Sequence, residues 1–317
     1  MAGVWILAEN LEQSIELLTI GLQLAGEIGT DLAAISWQPE TADDLIAHGV
    51  DEVILLPPLT AGQALEAYIP AIVERAQIDQ PEVFLIASTL KGKELAARIA
   101  SRLDAGLGSE CQTLCWDAGR KSLVIERLVY GGTGVQKVCC LGRPQMATIP
   151  PRTFEPAPCL TGRDGRITQL NVSPFSPVTV LEKKAREHQT RDITKARVVV
   201  CVGRGMEKPE DLEKARELAG LIGGEVGCTR PISEEMHWMP EDTCIGLSGK
   251  TIKADLYIGL GVSGQIQHLT GIRDTRIICI VNKDENAPIF AAADYGIVGD
   301  LYQVLPGLIE EIKQVKA

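Results

Sequence analysis

Along its first hundred residues the chain alternates short apolar runs with longer stretches in which apolar positions recur every three or four residues. "VWILAE" (4–9) precedes a segment over about 11–28 where Ile15, Leu18, Leu22 and Ala25 repeat at helical spacing. "LAAISW" (32–37) leads to a short helix, and "EVILLP" (52–57) to a helix near 62–78. "VFLIAS" (83–88) leads into "KGKELAARIASRLDA", where Leu95, Ile99 and Leu103 mark one apolar stripe. Alternating β and α units of this length predict an α/β fold with a mostly parallel sheet covered on both faces.

The pattern changes after about residue 108. "CQTLCWD", "LVIERLVYGG", "KVCCLG", "MATI" and "ITQLNV" follow one another with turns and no helix between them, a β-rich extension of the first domain. Seven of the seventeen prolines fall between 144 and 177, a stretch suited to edges and irregular loops. The charged segment "EKKAREHQTRDITKA" (182–196) has no apolar periodicity and marks the boundary between domains at 1–190 and 191–317. From 197 the β/α alternation restarts. "RVVVCVG", "GEVGCT", "LYIGLG", "IICIVN" and "YGIVGD" read as five short strands, "KPEDLEKARELAGLIG" as a helix, and "LYQVLPGLIEEIKQ" as a last helix with Pro306 as a candidate break. This is the pattern of a small doubly wound parallel-sheet domain.

Composition narrows the function classes. With 317 residues, 45% hydrophobic content and 23% charged residues, the chain has the profile of a soluble globular protein of two domains. Its net charge of −11 argues against a general nucleic-acid binder. No apolar stretch approaches the roughly 20 residues that span a bilayer, and the N-terminus lacks the basic segment of a signal peptide. The nine cysteines include no C-x-x-C, and several sit inside strand-like runs, which fits reduced core thiols in the cytoplasm. The four histidines are dispersed, so no metal site is expected.

Candidate chemistry gathers in the second domain, in the segments that follow the strands: Gly203-Arg204-Gly205, Thr229-Arg230-Pro231, "GVSGQIQH", Asn282-Lys283-Asp284 and Gly299-Asp300. A further loop, "IGLSGK" (245–250), adds Ser248, Gly249 and Lys250. In an open parallel sheet, ligands bind beyond the carboxyl ends of the strands, so these groups converge on one edge. Gly259, Gly261 and Gly264 also spell the dinucleotide motif G-x-G-x-x-G, with an acid 20 residues further on at Asp284. A phosphate-binding turn is credible, but too few strands remain after it for a nicotinamide domain.

These same segments carry a resemblance. "GRG" (203–205), "TRP" (229–231), "GLSGK" (246–250), "LYIGLGVSGQIQHLTG" (256–271) and "VNKDENAPIFAAADYGIVGD" (281–300) resemble the electron-transfer flavoprotein α-subunit, in that family's order and spacing, as do "LVYGG" and "RPQMAT" in the first domain. The resemblance implies a heterodimer with a β-subunit, contacted by the first domain, and FAD bound on the second. It implies that Arg204, Thr229 and Arg230 approach the flavin, and that Ser248, Gly249 and Lys250 lie beside it. Gly261, Ser263, Gly264, Gln267 and His268 come from the glycine motif, with His268 near the pyrimidine end of the ring, while Asn282 and Asp300 contact the adenosine half. The residue types suit this work, since a glycine turn offers backbone N–H groups to a pyrophosphate, and Arg230 and His268 would tune the reduced flavin, whose negative charge lies near N1 and O2.

The implied function is shuttling of electrons between flavoprotein dehydrogenases and an acceptor, either a quinone oxidoreductase or, by bifurcation, a ferredoxin or flavodoxin. Oxidation of NADH would then need the β-subunit. Three positions depart from the common pattern: Leu247-Ser248 where many members have Gln-Thr, Leu128 in place of a proline, and Gln265 in place of an alanine. The last resembles the Fix-like and bifurcating branches. The alternatives are a nucleotide-binding module without a redox role and an NAD-dependent dehydrogenase.

Overall fold

The computed structural model describes residues 3–316 apart from 161, 173, 176, 177, 183 and 185–191. The chain divides into two units, Met1–Lys184 and Ala185–Ala317. The boundary expected at 190/191 lies outside the described residues.

The first unit opens with β1 (Val4–Leu7), α1 (Leu11–Ile28), β2 (Leu32–Ser36), α2 (Ala42–Ala47), β3 (Glu52–Leu55), α3 (Ile69–Asp79), β4 (Val83–Ala87) and α4 (Leu90–Leu103). Successive strand residues point to opposite faces, and here both faces are covered. Val4 and Ile6 pack with α1 residues Leu17 and Leu18, whereas Trp5 and Leu7 pack with α3 and α4 residues such as Ile72 and Ile99. Two buried faces explain why the strands read as unbroken apolar runs. The side chain of Asn10 accepts a bond from the Gln13 N–H and caps α1. Replacing it by alanine is expected to lower the stability of this unit by about 1 kcal/mol, read as a shifted midpoint in urea denaturation.

The β-rich extension resolves into two parts. β6 (Cys111–Asp117), β7 (Ser122–Val129) and β8 (Gly134–Cys139) form a separate antiparallel sheet. In contrast, β5 (Leu107–Gly108), β9 (Gln145–Ile149) and β10 (Arg166–Gln169) join the main sheet, whose order is β10-β3-β2-β1-β4-β9-β5 with every pair parallel. Short strands separated by turns look the same in sequence whichever sheet receives them.

The second unit contains β11 (Val198–Val202), α5 (Leu212–Ile222), β12 (Glu225–Cys228), β13 (Leu256–Leu260), α6 (Ile266–Ile272), β14 (Ile278–Asn282), β15 (Tyr295–Val298) and α7 (Leu301–Lys316). All five strands are parallel, in the order β12-β11-β13-β14-β15. The order reverses between β11 and β13, which makes the carboxyl ends of those two strands the topological switch point. Helices α5 and α7 cover one face through Leu212, Leu218, Leu301, Leu305 and Ile309. The other face buries Tyr257, Ile272 and Ile289. Helix α7 runs through Pro306 without a break. Proline removes one N–H there, and the buried Leu301, Leu305 and Ile309 on either side hold the helix to the sheet.

Candidate functional site

A cavity of about 630 Å³ opens at the switch point of the second unit, within the usual range for small-molecule sites. Arg204 follows β11, Thr229 and Arg230 follow β12, and Gly261 to Gln265 follow β13; Ser248 comes from the 245–250 loop, and Gln267 and His268 from α6.

The glycines hold this edge together by close backbone approach. Gly261 has φ +65°, and a Cβ on it would stand 2.6 Å from Gly205 Cα; a Cβ on Gly205 would meet Gly261 Cα at the same distance. A Cβ on Gly271 would lie 2.6 Å from Gly246 N, and one on Gly246 would meet Gln267 O at 2.9 Å. Gly264, at φ +81°, presses against the backbone of Ile289. Gly259, the first glycine of the dinucleotide spelling, lies inside β13 and not in the turn, where its missing side chain makes room for Ile280 and Tyr257. The spelling therefore records backbone packing.

The turn after β13 is nonetheless built to receive an anion. Gly261 O accepts from Gly205 N at 3.0 Å, Val262 O from Asn282 Nδ2 at 2.7 Å, and Ser263 O from Ile289 N at 3.1 Å. In a trans peptide the C=O of one residue and the N–H of the next point in opposite directions. Anchoring these three carbonyls to the scaffold turns the N–H groups of Val262, Ser263 and Gly264 away from it. Among the described residues, none of those N–H groups makes a hydrogen bond within the chain. The Thr229 hydroxyl is likewise buried in the cavity lining with no partner among the described residues. Orphaned donors in a cleft flanked by guanidinium groups fit a ligand with phosphates and a polar ring.

Both arginines are held by neighbours that the sequence does not single out. Arg230 Nε donates to Glu234 Oε2 at 2.6 Å, and Arg204 Nη2 lies 3.2 Å from Glu235 Oε2. The pairs are exposed, so they orient the guanidinium groups more than they stabilise the fold. The i,i+4 spacing of Arg230 and Glu234 is the one signal of them in the sequence.

His268 is buried, with both ring nitrogens engaged: Nδ1 lies 3.0 Å from Ile245 O and Nε2 2.8 Å from Tyr257 Oη. A carbonyl oxygen only accepts, so Nδ1 carries the proton and Nε2 accepts from the tyrosine. Burial pulls the imidazole pKa down to about 4, against a smaller opposing effect of the Ile245 bond. At neutral pH His268 is therefore uncharged in this arrangement, not a cation beside the cavity. Tyr257 is a further residue that the motifs do not mark; a tyrosine inside an otherwise aliphatic strand needs a partner for its hydroxyl, and that need is the clue.

Four of the expected residues stand apart from the cavity lining. Asn282 places Nδ2 on Val262 O and accepts the Asp284 N–H at Oδ1, so it supports the turn. Asp300 Oδ1 accepts the Tyr302 N–H at the start of α7. Gly249 packs against the Cys244 carbonyl. Lys250 shares its backbone with the same loop, its N–H bonded to Cys244 O. Among the described residues no group of three or more His, Cys, Asp or Glu side chains is placed to hold a metal ion, and no helix is long and apolar enough to cross a membrane.

The family described as "Electron transfer flavoprotein domain" matches residues 4–175, and that described as "Electron transfer flavoprotein FAD-binding domain" matches 192–273. The chain is 35% identical to an electron transfer flavoprotein subunit alpha of Clostridium acetobutylicum, over 98% of this chain and 97% of that one. It is 34% identical to a protein FixB of Clostridium saccharobutylicum, covering 99% and 97% of the two chains. With a protein FixB of Bradyrhizobium diazoefficiens the identity is 36%, over 96% of this chain and 87% of its relative. Likeness along the whole length, added to a phosphate-ready turn at the switch point, makes the chain a member of the electron-transfer flavoprotein α-subunit family, with the FAD-binding domain in its second half.

Proposed function

We propose that the chain pairs with a β-subunit through residues 1–190, holds one FAD in the cavity of residues 191–317, and passes electrons from a flavoprotein dehydrogenase to an acceptor such as a quinone oxidoreductase. The observation that carries this reading is the set of unpartnered N–H groups from Val262 to Gly264, facing a cleft with two arginines and an orphaned hydroxyl. FAD, when bound, supplies the electron-accepting and electron-donating chemistry. The N–H groups of the 261–264 turn would hold its pyrophosphate. Arg204, Thr229 and Arg230 would cradle the flavin ring, with Ser248, Gly249 and Lys250 closing beside it and Gln267 on the α6 side. Asn282 and Asp300, on this reading, serve the adenosine half by fixing the turns that face it. The nine free thiols suit a reducing cytoplasm.

Co-expression with the β-subunit, followed by a count of FAD per heterodimer, tests the proposal. One FAD, with no bleaching by NADH, is the outcome expected of a simple carrier. Two FAD with NADH bleaching would establish bifurcation instead, and a colourless heterodimer would end the redox reading altogether. Within this reading, Arg230 places positive charge near the flavin, so Arg230→Ala is expected to lower the first reduction potential while FAD remains bound. The expected drop is on the order of tens of millivolts, on a scale where about 59 mV is a tenfold change for one electron. An unchanged potential in a spectroelectrochemical titration removes Arg230 from that role.

A further inference from the structure

Behind the cavity lies a buried polar chain that links β13, α6 and the 245–250 loop. Tyr257, on β13, is fully buried, and its Oη is 2.8 Å from His268 Nε2. The two rings are tilted at 51°, with centroids 6.0 Å apart. On the far side of the ring, Nδ1 reaches Ile245 O at 3.0 Å. Cys201, on β11, is also fully buried, and its thiol lies 4.0 Å from Val202 O. Each hydroxyl or thiol in such a chain has one proton to give. The Ile245 carbonyl forces the proton onto Nδ1, so the tyrosine proton must point to Nε2.

We propose that Tyr257 is a positioning residue that fixes His268 as its neutral Nδ1–H tautomer, so that the ring meets the cofactor cavity as an uncharged wall with both nitrogens turned to the protein. A hydrogen bond given to the bare nitrogen stabilises the neutral ring and disfavours its protonation. None of the titratable or charged groups around the ring and the cavity offsets this. Tyr257 comes from β13 with Cys201 behind it, Cys244 from the preceding loop is a buried thiol, and Arg204, Arg230 and Glu235 lie around the cavity. No carboxylate contributes to the His268 titration, which is set by burial and the Ile245 bond. The sign is therefore the reverse of a catalytic imidazolium, which would need an acid beside it.

The statement about the cavity rests on the cofactor placement proposed above; the tautomer does not. The test uses the FAD-loaded heterodimer with ¹⁵N-histidine incorporated in the α-subunit, and His268 assigned by loss of its signals in His268→Gln. The expected result in the unaltered protein is a protonated Nδ1 and a bare Nε2 at pH 7, with no titration down to pH 5. A proton on Nε2, or a titration midpoint near 6.5, overturns the proposal without any tyrosine variant. In Tyr257→Phe the midpoint is expected to rise by at least one pH unit, and an unchanged midpoint in a folded variant also overturns it. The same variant should give a flavin potential that rises more steeply as pH falls below 6. A raised midpoint with a potential that follows the unaltered protein would uphold the tautomer and reject the placement of flavin beside His268.

Discussion

Gly264→Ala is expected to destabilise the second unit by about 3 kcal/mol and to release FAD from the heterodimer. Two independent effects add. Gly264 has φ +81°, a conformation that costs an L residue roughly 1–2 kcal/mol. Its new Cβ would stand 2.5 Å from Ile289 Cα, a backbone atom that no rotamer change can move, and overpacking of this kind costs about 1–3 kcal/mol. Relief requires the 262–264 turn to separate from the 287–290 segment, which breaks the bond from Ile289 N to Ser263 O. That bond aims the Gly264 N–H at the cavity, so stability and ligand binding fall together. For a unit of this size the melting temperature should drop by about 10 °C. Gly220→Ala is the matched control. Gly220 lies within α5, where an added Cβ meets nothing within 4 Å, and the change should stabilise by about 0.5–1 kcal/mol with FAD content unaltered. A Gly264→Ala protein that melts within two or three degrees of the original and keeps its FAD would show that the turn yields easily and that its close packing is not what holds the ligand.

The same residues mark where sequence is informative. Unbroken apolar runs such as "VVVCV" and "LYIGL" specify strands buried on both faces, and helical spacing fixes what lies between them, so the doubly wound class and the sheet edge where the candidate residues gather are legible before any coordinates, whereas the strand order is not. The glycine motif is legible as a turn, yet its atoms are explained only by partners remote in sequence: Gly205 for Gly261 and Ile289 for Gly264. Spacing along one segment carries no record of which backbone will press against it. Asn282 illustrates the limit in another way. Its type and place at the carboxyl end of β14 suggest a ligand contact, whereas its amide is spent on Val262 O and Asp284 N, one step removed from the cavity. His268 is the sharpest instance. A histidine near a cofactor reads as a charge in sequence, because neither its burial nor its tautomer is written there. A tyrosine eleven residues away and a carbonyl twenty-three residues away set both.

That environment has a consequence for stability that is larger than any exposed ion pair in the chain can produce. The folded imidazole has its pKa near 4, whereas a histidine in the unfolded chain titrates near 6.5. Between these values the unfolded state binds a proton that the folded state refuses, so stability rises with pH across this window. The His268 contribution is complete above about pH 7 and is lost progressively as the pH falls toward 4. Going from pH 7.5 to 5.0 it should remove about 2 kcal/mol, close to a thirtyfold change in the unfolding equilibrium. The measurement is urea unfolding of the second unit's transition at both pH values, at constant FAD concentration because bound ligand adds its own stabilisation. His268→Asn keeps a polar side chain but has nothing to titrate, so its stability should change with pH by about 2 kcal/mol less than that of the unaltered protein. Equal pH slopes for the two proteins would mean that His268 takes up its proton in the fold as readily as in water, and a buried, doubly bonded imidazole cannot do that.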